Sequence, residues 1–75
     1  MKKIRQYVLV VFDKTTISEE LYNEYFKDKF DNKLFIFLGE IPNAPTHCVL
    51  ADLRSGNVIG MHHTSNFREA IDEEV

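Results

Sequence analysis

Four side chains able to hold a metal or move a proton fall within THCVLADLRSGNVIGMHHT, residues 46–64: His47, Cys48, His62 and His63. They are every histidine and the only cysteine of the chain. Three chemistries use such residues. A transition metal such as zinc needs three or four N/S ligands converging tetrahedrally. A cysteine nucleophile needs an imidazole within hydrogen-bond reach and a third group to orient it, here His62 with Asp52 or Glu40. Adjacent histidines, as in His62-His63, can change charge between about pH 5 and 8 and act as a switch. The plain alternative is a polar strand end with a cysteine packed as a small hydrophobe.

What these residues do depends on the elements that carry them. The stretch reads as two strands around DLRSGNV. Gly56 can adopt positive φ and close a type I turn with a bulge, which sets Leu53 opposite Asn57. Counting outward, His47 faces His63 and Cys48 faces His62. A two-residue Ser55-Gly56 turn would pair Cys48 with His63 instead, and the bulged turn is preferred. Successive strand residues point to opposite faces. The hairpin therefore offers two pairs, His47/His63 and Cys48/His62, on two faces. A full metal site needs a carboxylate from elsewhere or a second subunit.

Before the hairpin, IRQYVLVVF (Ile4 to Phe12) is apolar on both faces over Tyr7 to Phe12, as in a covered central strand. TTISEELYNEYFKDKFDN (Thr15 to Asn32) predicts a helix. Thr16 and Glu19 have capping-box spacing, Ser18 is a rival N-cap, and Asn32 suits a left-handed C-terminal position. Leu21, Tyr22, Tyr25, Phe26 and Phe30 form its apolar stripe. KLFIFLGE (Lys33 to Glu40) is a second strand, with Leu34, Ile36 and Leu38 on one side and Phe35 and Phe37 on the other. Strand, helix and strand predict a right-handed crossover with the two strands parallel. IPNAP (Ile41 to Pro45) is a proline-fixed loop. SNFREAIDEEV (Ser65 to Val75) predicts a short terminal helix with Phe67, Ala70, Ile71 and Val75 inward. Its Asp72, Glu73 and Glu74 sit where the helix dipole disfavours them. With Glu69 these acids form a solvated face or a dock for a basic partner.

The expected fold is a single small α+β domain over residues 1–75, in the order βαβββα. Its four-stranded mixed sheet carries one long and one short helix. This order, with Pro45 ahead of a hairpin strand, resembles the thioredoxin-like fold, in which a proline before the third strand borders the active site. The family's Cys-x-x-Cys motif is absent. The equivalent stretch, DKTTIS, has no cysteine, so the resemblance implies a degenerate relative without redox activity.

Composition excludes several functions. The chain has 75 residues, 44% hydrophobic, 12% aromatic and 28% charged, which describes a globular domain. A single cysteine forms no internal disulfide. The apolar run after Lys3 is too short for a signal segment, and no run approaches the ~20 apolar residues of a membrane helix. A cytoplasmic location is expected. The net charge is -3, with seven Lys/Arg and six Asp/Glu over residues 1–33 but two and six over 34–75. Lys2, Lys3 and Arg5 are too few for a nucleic-acid surface. Gly39, Gly56 and Gly60 are scattered and none opens a helix, so no phosphate loop is present.

No motif assigns a reaction or a cofactor. The expectation is a small non-enzymatic module that binds another protein, with homodimerisation also expected, in a regulatory, inhibitory or accessory role. Tyr22, Tyr25, Glu40, Ile41, Pro42, Asn43 and Pro45 are the candidate contact residues, since a proline-fixed loop binds with little ordering cost. The metal-binding alternative uses His47, Cys48, His62 and His63. The third reading is a cysteine-dependent enzyme with Cys48 as nucleophile.

Overall fold

A computed structural model describes residues 4–75. Lys2 and Lys3 of the basic N-terminal cluster lie outside them. Five strands, β1 (Leu9–Phe12), β2 (Phe35–Ile41), β3 (Ala44–Asp52), β4 (Val58–His63) and β5 (Phe67–Glu69), form one sheet in the order β4-β3-β2-β1-β5. Every pairing is antiparallel. The class is α+β. The four-stranded mixed sheet with two helices is overturned by this five-stranded antiparallel sheet with one helix of 12 residues.

The helix, α1 (residues 19–30), begins at the rival cap: Ser18 Oγ accepts from the Leu21 amide at 3.2 Å. Asn32 closes the exit at φ 55, as its type allows. Between them Tyr22–Phe26 winds as a π-helix, and the Lys27 amide donates to the Tyr22 carbonyl. An α-helix turns about 100° per residue, so residues spaced by four drift off a common line. The wider π turn keeps Tyr22, Phe26 and Phe30 on one stripe and leaves Leu21 and Tyr25 exposed.

That stripe lands on Phe12. The Phe12 ring lies 5.3 Å from Tyr22, 5.1 Å from Phe26, 5.1 Å from Phe30 and 5.5 Å from Phe67. The excursion thus starts and ends at one end of the sheet, where Val10 pairs with Phe35. This is why the expected parallel crossover fails. Apolar periodicity marks β1 as an interior strand, which it is, but carries no information on the direction of its neighbour. The thioredoxin-like resemblance falls with the crossover.

The terminal helix is also overturned. Residues 64–66 form a 3-10 turn, Phe67–Glu69 pair with β1, and Asp72–Glu74 form a second 3-10 turn. Phe67 is buried beside Phe12, and that contact outweighs a weak helical pattern ending in three acids. IPNAP is a hairpin turn, not a loop. Ile41 pairs with Ala44 around Pro42 and Asn43, with proline at the position that favours φ near its fixed value. Pro45 lies inside β3, where a register shift between Glu40 and Ile41 absorbs its missing donor.

Four strand spacings of about 4.8 Å would put the edges of a flat sheet roughly 19 Å apart. Three residues join β4 to β5, and the step from His63 to Phe67 reaches at most about 14 Å. The sheet must therefore curl into a partly open barrel. The His62 and Phe67 rings approach to 6.3 Å across the closure, and the Phe30 ring meets both, at 5.2 Å and 5.4 Å. Val10, Phe12, Phe35, Phe37, Cys48, Leu50 and Phe67 fill the interior under Tyr22 and Phe30.

Candidate functional site

The hairpin end forms much as its residue types suggest. His47 pairs with His63 and Cys48 with His62. The turn itself differs. Asp52 Oδ1 accepts from the amides of Arg54 and Ser55, and the Gly56 amide donates to the Asp52 carbonyl at 2.8 Å. This aspartate-closed turn adds a residue, so Asp52 rather than Leu53 faces Asn57. Gly56 has the expected positive φ of 77°. The outer register is recovered because Met61 is extra: Val49 pairs with Gly60 and Cys48 with His62. Met61 stands at φ 64 between them, a left-handed bulge.

The four hairpin residues do not converge. The His47 and His63 rings lie 4.2 Å apart, with His47 Nδ1 at 3.0 Å from Thr46 Oγ1. Cys48 is on the opposite face and 0% exposed. His62 beside it packs edge-on against Phe30 at 5.2 Å. Burial raises the Cys48 thiol above its usual range, opposed by the Thr64 hydroxyl and then reinforced by the charge of Glu40. Thr64 Oγ1 is itself buried. Burial, then the charge of Lys29, lowers the His62 imidazole. Both partners are thus biased toward neutral forms, the reverse of a thiolate–imidazolium pair. Glu40, Cys48 and His62 occupy one row across β2, β3 and β4. Among the described residues, however, no three His, Cys, Asp or Glu side chains come together to hold a metal ion.

The expected contact surface also divides. Tyr22 is 3% exposed; its hydroxyl donates to Asp31 Oδ1 at 3.1 Å, and Lys14 Nζ reaches the same oxygen at 3.1 Å. Burial, with Asp31 second, pushes the Tyr22 phenol up to about 12. Tyr22 is therefore a core residue, while Tyr25 faces outward. Glu40, Ile41, Pro42, Asn43 and Pro45 lie at the far end of β2 from Phe35, the residue that meets α1 through Phe30.

A second surface continues the outer face of the hairpin, through residues that are not among the expected contact residues. Leu9, Ile36, Ala51 and Val58 are successive cross-strand partners and form one row over four strands. The row lies on the outer face, away from α1, and none of its residues belongs to the core cluster. Val58 is 65% exposed. Its apolar alternation is written in each strand, but leaving it uncovered requires that the terminal helix be missing. An open cleft of about 890 Å³ has Val11, Phe12, Tyr22, Phe30, Leu34 and Leu53 as its apolar lining. Lys14, Lys33, Arg54 and Arg68 line it, offset by Asp13, Asp52, Glu73 and Glu74, so its charge selects neither anion nor cation.

No family model matches the chain, and comparison with curated proteins and with solved structures finds no match. No helix among the described residues is long and apolar enough to cross a membrane.

Proposed function

We propose that this chain is a small non-enzymatic binding module of the cytoplasm that engages another protein through the outer face of its sheet, in a regulatory, inhibitory or accessory role. The observation that carries this reading is the row Leu9, Ile36, Ala51 and Val58, aliphatic, continuous across four strands and outside the core cluster. Leu9, Ile36 and Ala51 are half-buried and Val58 is exposed, and an apolar row left outside the core in this way is the kind of surface that a partner covers. The buried Cys48 and the charge-balanced cleft favour binding over catalysis.

The test places a photo-crosslinking residue at Val58 in cells of the native host. A discrete adduct with a second protein that disappears when Ile36→Glu is added supports the reading. Adducts of the chain with itself alone, or none, overturn it.

A second reading has the His47/His63 pair take a transition metal. Ring centroids 4.2 Å apart favour it, although two imidazoles supply only half of a tetrahedral set. A thermal melt with zinc, nickel or copper decides. A rise of several degrees that vanishes in His63→Ala supports this reading, and a flat response removes it.

A further inference from the structure

The two edges of the sheet are treated differently. The β5 edge is three residues long and heavily charged. Arg68 grips Glu74 through both terminal nitrogens at 2.7 Å each, and Arg5 grips Glu69 at 2.8 Å. Short length and charge are the usual protection of an edge against pairing with another strand. The β4 edge, VIGMHH, has neither lysine, arginine, aspartate, glutamate nor proline over six residues. Two of its apolar side chains stand in water, Val58 at 65% and Met61 at 74% exposure. Met61 holds left-handed backbone, a strained state for a methionine that persists where a side chain must be aimed.

We propose that β4 pairs antiparallel, edge to edge, with β4 of a second copy of this chain. A two-fold contact requires one patch to complement itself. An uncharged strand does so without like-charge repulsion, whereas the β5 edge would set identical ion pairs against each other. The Met61 bulge restricts the flat run to Val58, Ile59 and Gly60. A two-fold axis at Ile59 sets Val58 of each copy opposite Gly60 of the other, so the two outer rows lie on the same face of one continuous sheet, offset by two residues. Three residues from each copy form a small contact, and the dimer is weak and concentration-dependent. This pairing holds or fails independently of whether the outer face binds another protein.

Sedimentation velocity of the full chain from micromolar to sub-millimolar concentration tests it, with a thermal melt on every variant. Wild type shifts from monomer toward dimer as concentration rises. Val58→Lys stays monomeric throughout with an unchanged melt, because the lysine replaces a side chain already in water. Leu21→Lys, a charge on the distant helix, dimerises as wild type does. A chain monomeric at every concentration overturns the proposal, as does a dimer that survives Val58→Lys.

Discussion

Tyr22 shows how a residue that reads as surface becomes core. Tyrosine with a free hydroxyl is a favoured contact residue, but here the hydroxyl is used within the fold, donating to an Asp31 carboxylate that also meets Lys14. Removing it in Tyr22→Phe should cost about 1 kcal/mol, the usual net value of a hydrogen bond, seen as a lower urea midpoint. The phenol's ordinary value is 10.0 and the fold holds it near 12. The folded state therefore favours the protonated form. That contribution is complete below pH 10 and is lost as pH rises through 12. A tyrosinate absorbance step near pH 12 that is missing in Tyr22→Phe is the expected signature. Cys48 is the companion case. Its type and cross-strand partner were legible, but its complete burial was not, because alternation does not say which face is covered. A thiol reagent should modify Cys48 only as fast as the chain unfolds. Rapid alkylation of the native protein at neutral pH would instead mark an accessible thiolate and revive the nucleophile reading.

At the scale of elements, legibility follows locality. The Ser18 cap and the left-handed Asn32 and Gly56 rest on contacts within a few residues, whereas the His47/His63 and Cys48/His62 pairs come out as read only because the added turn residue is offset by the extra Met61. The direction of β2 and the fate of residues 65–75 rest on Phe12, whose partners Phe30 and Phe67 lie far away in sequence. The terminal segment makes this testable. Its 3-10 turn is tied by Glu74, which accepts from Arg68 and from the Ile71 amide at 2.9 Å. Those donors, Arg68 first, hold the Glu74 carboxyl down at about 2 against an ordinary 4.5. A depressed value means the tie is whole above pH 4.5 and loosens as pH falls toward 2. The Ile71 amide should lose hydrogen-exchange protection over that interval while β1 and β3 amides keep theirs. In Arg68→Ala the same loss should be present already at neutral pH. Ile71 protection independent of both pH and Arg68 would show that the turn stands without the ion pair.

For the molecule as a whole, one side of the sheet holds the core and the other carries the aliphatic row outside it. A 75-residue chain has room for one core, and here the curled sheet places it inside, under a single helix. Adjacent residues of β2 then have opposite roles. Phe35 points inward, 1% exposed and 5.4 Å from the Phe30 ring. Ile36 points outward between Leu9 and Ala51. Phe35→Ala should cost about 3–5 kcal/mol, a large share of what a domain of this size possesses, and should leave much of the chain unfolded at 37 °C. Ile36→Thr keeps a β-branched side chain and removes only outer apolar surface, so its cost in dilute monomer should stay below about 1.5 kcal/mol. Urea titrations of the two variants at low concentration measure both. If Ile36→Thr proves as damaging as Phe35→Ala, the outer face is structural, and neither a partner nor a second copy is needed to explain its aliphatic row. If the costs separate as expected, that row is maintained at little benefit to the isolated fold, which is the energetic pattern of a surface kept for association.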